Sequence, residues 1–315
     1  MRKGSRIDFQ LPTYQITHLP NPVARTDQLT PPIRLLVTDI DGTLLNPNFR
    51  ISDLDRSAMQ AAHQCGITII LATGRRHDYA LPVAQELGVP VWMISSNGAM
   101  IRSSSGETFY ADRLPAATAR KLITYMDDFR GHAVLTFDRH AQGALVLEQA
   151  DELHHSISRW IQNNSAFIRY VKPLEDALTE DPIQAMYCGG VARMAILQDH
   201  LRQADFLNEI TLLRTQYDAR DLCILDILNR DCSKGHALRR WAEHHGVPRE
   251  QIMAIGDNYN DLGMLEFAGL PVIMGNASEE LKQNGWKVTA SNAENGVAAA
   301  LQPILGAGFQ AGFEV

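Results

Sequence analysis

An apolar run that ends in two closely spaced aspartates constrains the fold of this chain more than any other feature. Ile33–Val37 is apolar except for Arg34, and Thr-Asp-Ile-Asp-Gly-Thr follows it directly. The run predicts a buried strand, and Gly42 lets the backbone turn beneath Asp39 and Asp41 at its end. Two acids this close repel each other, and a divalent cation would relieve the repulsion and attract a phosphate. A strand that ends in a solvated Asp-Gly turn fits the same residues, so the motif alone leaves both interpretations open.

Three further segments supply the other groups that a phosphoryl-transfer site needs. Ile69–Arg75 is an apolar strand that ends in a hydroxyl residue and a glycine, Asp231–Leu238 brings a lysine to the start of a helical pattern, and Ile255–Asp261 ends a strand in carboxylates and amides. In chain order the segments provide a nucleophile with an acid, a hydroxyl, a cation and a metal carboxylate. Transfer through an aspartyl-phosphate requires these parts.

Together these segments resemble the motifs of the haloacid dehalogenase-like hydrolases, and in detail their Cof-type phosphatases. Shorter matches are Ser-Asn-Gly-Ala at 96–99, Met-Gly-Asn-Ala at 274–277 and Ser-Asn-Ala-Glu-Asn-Gly-Val at 291–297. The resemblance implies that Asp39 attacks phosphorus and that Asp41 protonates the leaving oxygen and then activates water. It also implies that Thr73 and Lys234 hold the phosphoryl group.

The resemblance further implies a cofactor and a substrate class. It implies Mg²⁺, with the metal ligands Asp39, Asp41 (through its backbone carbonyl), Asp257 and Asp261. We expect substrate contacts from Gly42, Gly74, Arg75, Asn97 and Asn260, and Gly74 places Arg75 in the expected site. An ion pair with Asp78, three residues further along, is the alternative role for Arg75. The partner expected from the family is a small phosphorylated metabolite, such as a sugar phosphate or pyridoxal phosphate.

The order of strand and helix signals predicts an α/β fold with a Rossmann-like parallel-sheet core. Strand patterns at 33–39, 67–73 and 91–95 alternate with helical patterns at 54–65 and 76–87. Such alternation predicts parallel strands joined by right-handed crossovers. Ligands bind at the carboxyl ends of these strands, which is where the motifs lie.

The chain divides into four predicted parts. A proline-rich arm at 1–32 is expected to be extended or disordered, and the first part of the core follows at 33–101. An α/β cap without catalytic motifs is expected at 102–226, where the family places such an insertion. The second part of the core follows at 227–315, and the segment Cys223–Leu228 is interpreted as the strand that resumes it.

Composition restricts the partners and the location. The net charge is −7 without a long basic run, which argues against nucleic-acid binding. No stretch reaches the ~20 apolar residues of a membrane span. The four cysteines show neither metal-site nor regular disulfide spacing, which predicts reduced thiols in a cytoplasmic protein. We expect a monomer or a homodimer.

Three functions fit these observations. A Mg²⁺-dependent phosphatase would hydrolyse a small phosphomonoester. A phosphomutase would return the phosphoryl group to a sugar phosphate, would release no phosphate and would need a bisphosphate activator. A non-catalytic protein that binds a phosphorylated ligand is the third, but it would not need Asp39, Asp41, Lys234 and Asp257 together.

Overall fold

The computed structural model describes residues 32–150, 153 and 155–306, so the predicted arm lies outside the described residues except for Pro32. The strands are β1 Leu35–Asp39, β2 Thr68–Ala72, β3 Trp92–Ser95, β4 Met100–Ser103, β5 Thr108–Ala111, β6 Ala133–Thr136, β7 Leu145–Leu147, β8 Ile168–Tyr170, β9 Gln184–Gly189, β10 Ile210–Tyr217, β11 Leu222–Asn229, β12 Ile252–Gly256, β13 Leu270–Ile273 and β14 Lys287–Val288. The α-helices are α1 Asp53–Gln64, α2 His77–Glu86, α3 Ala116–Tyr125, α4 Ser158–Asn163, α5 Val191–Leu201, α6 Lys234–His244, α7 Leu262–Phe267, α8 Glu279–Lys282 and α9 Gly296–Leu305.

The core sheet consists of eight strands in the order β14-β13-β12-β1-β2-β3-β4-β5. Neighbours from β14 to β3 are parallel, and β4 and β5 add an antiparallel hairpin at one edge. All five residues of β1 are buried, as expected of a central parallel strand covered on both faces. The carboxyl ends of β12, β1 and β2 consequently lie side by side.

Helices cover both faces of the core sheet. Successive residues of a strand point to opposite faces, so neighbouring side chains join different apolar clusters. Leu36 and Ile69 pack against α1, α2 and α9, whereas Leu35 and Ile70 pack against α6 and α7. The predicted Rossmann-like α/β core is confirmed.

The second sheet consists of six strands in the order β10-β11-β9-β6-β7-β8, antiparallel except for the pair β7–β8. One face packs against α3 and α5 in an apolar cluster that contains Leu122, Tyr187 and Leu197. The opposite face contributes to a smaller cluster around Val134 and Leu145. The predicted α/β insertion therefore has an apolar core of its own.

The chain passes between the two sheets at positions that differ from the predicted domain boundaries. β4 and β5 follow residue 101 but belong to the core sheet. The prediction that Cys223–Leu228 resumes the core is wrong, because this segment lies in β11 and pairs with β9 and β10 of the second sheet. A short apolar strand carries no sign of the sheet that it will join. We propose that the inserted domain spans residues 112–229.

No helix among the described residues could cross a membrane. The longest of them, α1, has 12 residues, whereas a span needs about 20 apolar residues.

Gly235 and Gly263 allow α6 and α7 to cross at close range. A Cβ atom at Gly235 would lie 2.3 Å from the carbonyl carbon of Gly263, whereas a Cβ atom at Gly263 would make only ordinary contact at 3.5 Å. We expect Gly235→Ala to lower the free energy of unfolding by about 2 kcal/mol or more, because the helix backbones must separate. Gly263→Ala is the matched control and should stay within about 1 kcal/mol of the parent. Equal urea midpoints for the two variants would contradict this packing.

Candidate active site

Three predicted site residues lie at the adjacent carboxyl ends of β12, β1 and β2. Asp39 is the last residue of β1, Thr73 follows β2, and Asp257 follows β12. β1 pairs in parallel with both neighbouring strands, which brings the three ends to one edge of the sheet. The sheet topology therefore assembles the site from segments that are far apart in sequence.

A buried lysine joins Asp39 to a second carboxylate. Lys234 is the first residue of α6, and Ser233 caps that helix by accepting a hydrogen bond from the N–H of His236. The Nζ atom of the fully buried Lys234 donates to Asp39 Oδ1 at 2.5 Å and to Asp261 Oδ1 at 2.7 Å. Burial alone would lower the pKa of Lys234, but Asp261 and Asp39 outweigh it and raise that pKa above its ordinary value. Lys234 is therefore a fixed cation in the site.

Asp39, Asp257 and Asp261 form a carboxylate cluster that one lysine does not neutralise. Ligand oxygen atoms of the three lie within 4.8 Å of one another. Burial raises the pKa of Asp39 well above its ordinary value and raises the pKa of Asp257 to about 7, and the charge of Asp261 acts in the same direction on both. A hard divalent cation such as Mg²⁺ fits these oxygen donors and would remove the repulsion.

Hydrogen bonding distinguishes Asp261, which uses both of its carboxylate oxygens, from Asp39 and Asp257, which each keep one oxygen without a donor among the described residues. Asp261 uses both oxygens, because Oδ1 accepts from Lys234 and Oδ2 accepts from the backbone N–H groups of Asp257 and Asn258 at 3.0 Å each. Asp39 and Asp257 each use Oδ1, and no donor among the described residues reaches their Oδ2 atoms. Asp39 and Asp257 could therefore hold a metal directly, with Asp261 behind them.

Gly42 gives Asp257 room beside the Asp39 motif. Its φ is +88°, and a Cβ atom there would lie 2.4 Å from Asp257 Oδ2. Thr43 donates from Oγ1 to Asp257 Oδ1 at 2.9 Å, and Asn276 Nδ2 donates to the carbonyl of Gly42 at 2.8 Å. Sequence reasoning predicted Gly42 as a substrate contact and gave no role to Thr43 or Asn276. The structure places Gly42 and Thr43 against the carboxylate of Asp257, and Asn276 holds the backbone of Gly42.

Arg75 holds Asp41 with two hydrogen bonds. Arg75 Nε donates to Asp41 Oδ2 at 2.7 Å and Nη2 donates to Oδ1 at 2.5 Å, which is bidentate arginine–carboxylate geometry. The pairing of Arg75 with Asp78, which the sequence left open, is not formed, because Asp78 pairs with Arg76 and His140. The side chain of Asp41 lies outside the carboxylate cluster.

Asn97 connects the Thr73 and Asn260 sides of the site. Its backbone N–H donates to the Thr73 carbonyl at 3.0 Å, and its Oδ1 accepts from Asn260 Nδ2 at 2.9 Å. A Cβ atom at Gly74 would approach Asn97 Nδ2 to 3.2 Å, so Gly74 packs against the same amide. The structure thus brings the predicted substrate contacts Gly74, Asn97 and Asn260 together beside the buried Thr73.

Asp226 is a buried carboxylate of this region that sequence reasoning missed. It lies on β11 of the second sheet and accepts hydrogen bonds from Asn97 and Gln184. The available signal was a single acid inside the apolar stretch Cys-Ile-Leu-Asp-Ile-Leu at 223–228. Aspartate is almost never fully buried without partners, so such a position predicts a specific set of contacts.

Known proteins resemble this chain in sequence and in fold. A family model described as haloacid dehalogenase-like hydrolase matches residues 36–301. The chain belongs to the haloacid dehalogenase-like hydrolases. The predicted family is therefore confirmed, and so is the family fold, with its parallel core and inserted second sheet.

Similar proteins extend over nearly the whole chain. A phosphatase from Bacillus subtilis is 29% identical over 297 residues, which cover 87% of this chain and 100% of the relative. A pyridoxal phosphate phosphatase from Escherichia coli is 29% identical, with 84% of this chain and 96% of the relative covered. The crystal structure of a haloacid dehalogenase-like hydrolase from Bacteroides thetaiotaomicron matches with a TM-score of 0.72 and 28% identity, over 86% of this chain and 99% of that one. The predicted enzyme class, a hydrolase of the phosphatase type, is confirmed.

Gly42→Ala should displace Asp257 from the rest of the carboxylate cluster. We expect hydrolysis of p-nitrophenyl phosphate with Mg²⁺ to fall at least about tenfold, because the new methyl group would displace Asp257. Gly66→Ala is the matched control, since Gly66 has φ = +82° but nothing lies within 4 Å of a Cβ atom there. Both variants carry the strain of a left-handed residue, so only the first should lose activity. Equal activities would contradict the close approach of Gly42 and Asp257.

Mg²⁺ should stabilise this protein more at about pH 8 than at about pH 5.5. Because the pKa of Asp257 is raised to about 7, the folded protein keeps a proton at the lower pH that the unfolded chain has released. In chelator, this group therefore lowers the free energy of unfolding as the pH rises from about 4 to about 7. Mg²⁺ must displace that proton at the lower pH but meets an ionised carboxylate at the higher pH. Thermal denaturation should show the larger Mg²⁺-dependent rise in Tm at the higher pH.

The control for this pH dependence is Asp257→Asn, which removes the titrating group with little change in shape. In this variant the rise in Tm on adding Mg²⁺ should be small at both pH values. A variant that responds to Mg²⁺ as the parent does would exclude Asp257 as the source of the effect.

Proposed function

We propose that this hydrolase is a Mg²⁺-dependent phosphatase, which cleaves a small phosphomonoester through an aspartyl-phosphate on Asp39. The observation that carries the proposal is the contact of the buried Lys234 with Asp39, beside Thr73 and Asp257 at adjacent strand ends. This arrangement supplies a nucleophile, a cation, a hydroxyl and a metal carboxylate within one site. Covalent phosphoryl transfer requires that combination.

The reaction begins when Asp39 attacks phosphorus in line with the leaving oxygen. A bond forms between a carboxylate oxygen of Asp39 and phosphorus, and the bond from phosphorus to the leaving oxygen breaks. Lys234 and Thr73 hold the remaining phosphoryl oxygens, and the positive charge of Lys234 stabilises the negative charge on them. Mg²⁺, when bound by Asp39 and Asp257, supplies further neutralisation of the phosphate charge.

Asp41 moves the protons in this scheme. It donates a proton to the leaving alkoxide, and its carboxylate then accepts a proton from the water that attacks the aspartyl-phosphate. The second step releases inorganic phosphate and restores Asp39. Both oxygens of Asp41 accept from Arg75 in the structure, so Asp41 can donate a proton only after Arg75 withdraws. A phosphate dianion is a suitable new partner for the guanidinium, and we infer that Arg75 exchanges Asp41 for substrate.

Tyr217 of the inserted domain lies close enough to Asp39 and Asp41 for their charges to act on it. Tyr217 ends β10, and burial together with the charges of Asp41 and Asp39 raises the pKa of its hydroxyl. The Arg220 guanidinium lies 5.6 Å from the centre of the Tyr217 ring and 6.0 Å from that of Phe49, which is 56% exposed. We propose that these three side chains form a rim that contacts the leaving group, so that the inserted domain acts as a cap.

A planar leaving group suits this rim, because rings and guanidinium groups stack on aromatic faces. The similar protein from Escherichia coli is named a pyridoxal phosphate phosphatase, and pyridoxal is planar. Pyridoxal 5′-phosphate is therefore the first substrate to test, with sugar phosphates as the comparison class.

Release of inorganic phosphate tests the phosphatase proposal against its alternatives. A phosphatase should release phosphate from several monoesters with Mg²⁺ alone. A phosphomutase would release none and would convert a sugar phosphate only with a bisphosphate activator. A non-catalytic binding protein would do neither, so phosphate release without an activator identifies a phosphatase, and conversion of a sugar phosphate with the activator separates the other two.

Asp39→Asn should abolish turnover while the protein stays folded. The change removes the nucleophile's charge and nearly preserves its shape, and we expect a loss of at least ~10³-fold, or about 4 kcal/mol in the barrier. Asp53→Asn is the matched control, since Asp53 is 98% exposed at the start of α1 and should keep full activity. Near-normal phosphate release by folded Asp39→Asn would exclude the covalent mechanism.

Arg220→Gln should change substrate preference and leave the chemistry intact. We expect kcat/KM for pyridoxal 5′-phosphate to fall about fivefold relative to glucose 6-phosphate, because a cation–π or stacking contact is worth about 1 kcal/mol. The matched control is Arg202→Gln, an exposed arginine at the end of α5 that should leave the ratio unchanged. An unchanged ratio in Arg220→Gln would place recognition of the leaving group elsewhere.

A further inference from the structure

A carboxylate of the second sheet reaches into the core at the phosphoryl site. Asp226 is 5% exposed on β11, where its backbone pairs with Leu213 and Met186 of the neighbouring strands. Its Oδ2 accepts from Asn97 Nδ2 at 2.8 Å, and its Oδ1 accepts from Gln184 Nε2 at 3.0 Å. Among the described ion pairs none includes Asp226, so two neutral amides hold this carboxylate. Burial raises its pKa to about 7.

Asn97 contacts both the segment after β2, at Thr73, and the segment after β12, at Asn260. Asn97 is fully buried with φ = 54°, and Ser96 before it has φ = 48°, so two successive residues adopt the left-handed conformation. Residues other than glycine rarely adopt this backbone conformation unless surrounding contacts enforce it. The contacts here are the backbone bond to Thr73 and the side-chain bonds to Asp226 and Asn260.

The carboxylate also decides which way the amides point. The Asn97 nitrogen donates to Asp226, so the Asn97 oxygen faces away from that carboxylate. That oxygen accepts from Asn260, whose side-chain nitrogen is therefore the donor. Asn260 lies in the turn Tyr259–Asp261, which contains one member of the carboxylate cluster and follows another. One acceptor on the second sheet thus fixes two amides in sequence.

We propose that Asp226 is a positioning residue for the phosphoryl site: through Asn97 it holds the turn after β2 and the turn after β12 at their working separation. The proposal rests on the phosphatase function. It also means that the core site is complete only while the second sheet is seated on it. Asp226 would then connect the domain that reads the leaving group to the residues that hold the phosphate.

The alternative is that Asp226 only stabilises the fold, as a buried hydrogen-bonded group often does. Both roles lower stability when the acceptor is removed. Only a positioning role predicts that removing the acceptor also lowers kcat/KM and phosphate affinity, and that these losses depend on Asn97.

The test compares Asp226→Leu, Asn97→Ala and the double variant, with p-nitrophenyl phosphate and Mg²⁺ as the assay. Leucine removes the acceptor, keeps the branched shape with larger methyl groups in place of the oxygens, and suits an apolar strand. We expect kcat/KM to fall about tenfold or more and the inhibition constant of inorganic phosphate to rise, because small displacements of positioned groups are costly in rate. The double variant should be no worse than Asn97→Ala, since Asp226 acts through Asn97.

Two further variants control for stability and for chemistry. Thr118→Ala breaks a hydrogen bond of the inserted domain from the buried Thr118 to the partly exposed Glu209, at 2.8 Å, and should lower Tm without changing kcat/KM. Asp226→Asn should keep activity within about threefold, because its oxygen can still accept from Asn97. The Gln184 oxygen, which has no partner among the described residues, can accept from the new amide after a flip. Asp226→Thr, too short to accept from Asn97, must reproduce the leucine result and replaces it if leucine prevents folding.

The proposal is overturned if the leucine or threonine variant behaves like Thr118→Ala, with a lower Tm but unchanged kcat/KM and phosphate inhibition. Additive losses in the double variant would overturn it as well. The parent protein serves as the separate test of the function: if it hydrolyses no monoester, the phosphatase proposal fails. Calorimetric binding of inorganic phosphate with Mg²⁺ to the same variants then still measures the positioning effect.

Discussion

Lys234 donates to Asp39 and Asp261 in the interior of the core, and the geometry of the site follows from that contact. A buried charge that loses its partner is strongly destabilising, so the three side chains have to be placed together. The requirement fixes the start of α6, because Lys234 is its first residue and Ser233 its cap. It also fixes the turn after β12, because Asp261 holds the N–H group of Asp257 with its other oxygen. Asp39, Lys234 and the turn after β12 are therefore joined in one hydrogen-bonded unit.

The same unit is short of positive charge. Burial and mutual repulsion raise the pKa values of Asp39 and Asp257, so the folded protein without metal carries an electrostatic cost at neutral pH. A divalent cation removes that cost, and a phosphate dianion then becomes an acceptable further ligand. Arg75 neutralises Asp41 in a similar way, because its guanidinium pairs with that carboxylate and can pair with a phosphate instead. The carboxylates that suit a metal ion thus also lower the stability of the metal-free protein, as is common in active sites.

Local patterns predicted the strand ends, because a parallel strand is a continuous apolar run and a polar motif after it marks the ligand edge of the sheet. Contacts between distant segments could not be predicted in this way. Arg75 was open to pairing with Asp78 nearby, yet it pairs with Asp41 across the site. The strand at 222–229 has the same apolar pattern as a core strand, and only its pairing with β9 and β10 assigns it to the second sheet. Asp226 was missed for the same reason, since its partners lie 129 and 42 residues away in sequence.

A phosphoryl group on Asp39 during turnover is the most direct evidence for the role of this site. The Asp41→Asn variant should accumulate it, because p-nitrophenolate leaves without a proton whereas the attacking water then lacks its base. Acid quenching during turnover, followed by peptide mass spectrometry, should find one acid-stable, hydroxylamine-labile phosphate on the peptide that contains Asp39. Phosphate release without any phosphorylated peptide, or a phosphate on another residue, would contradict Asp39 as the nucleophile that Lys234 holds in place.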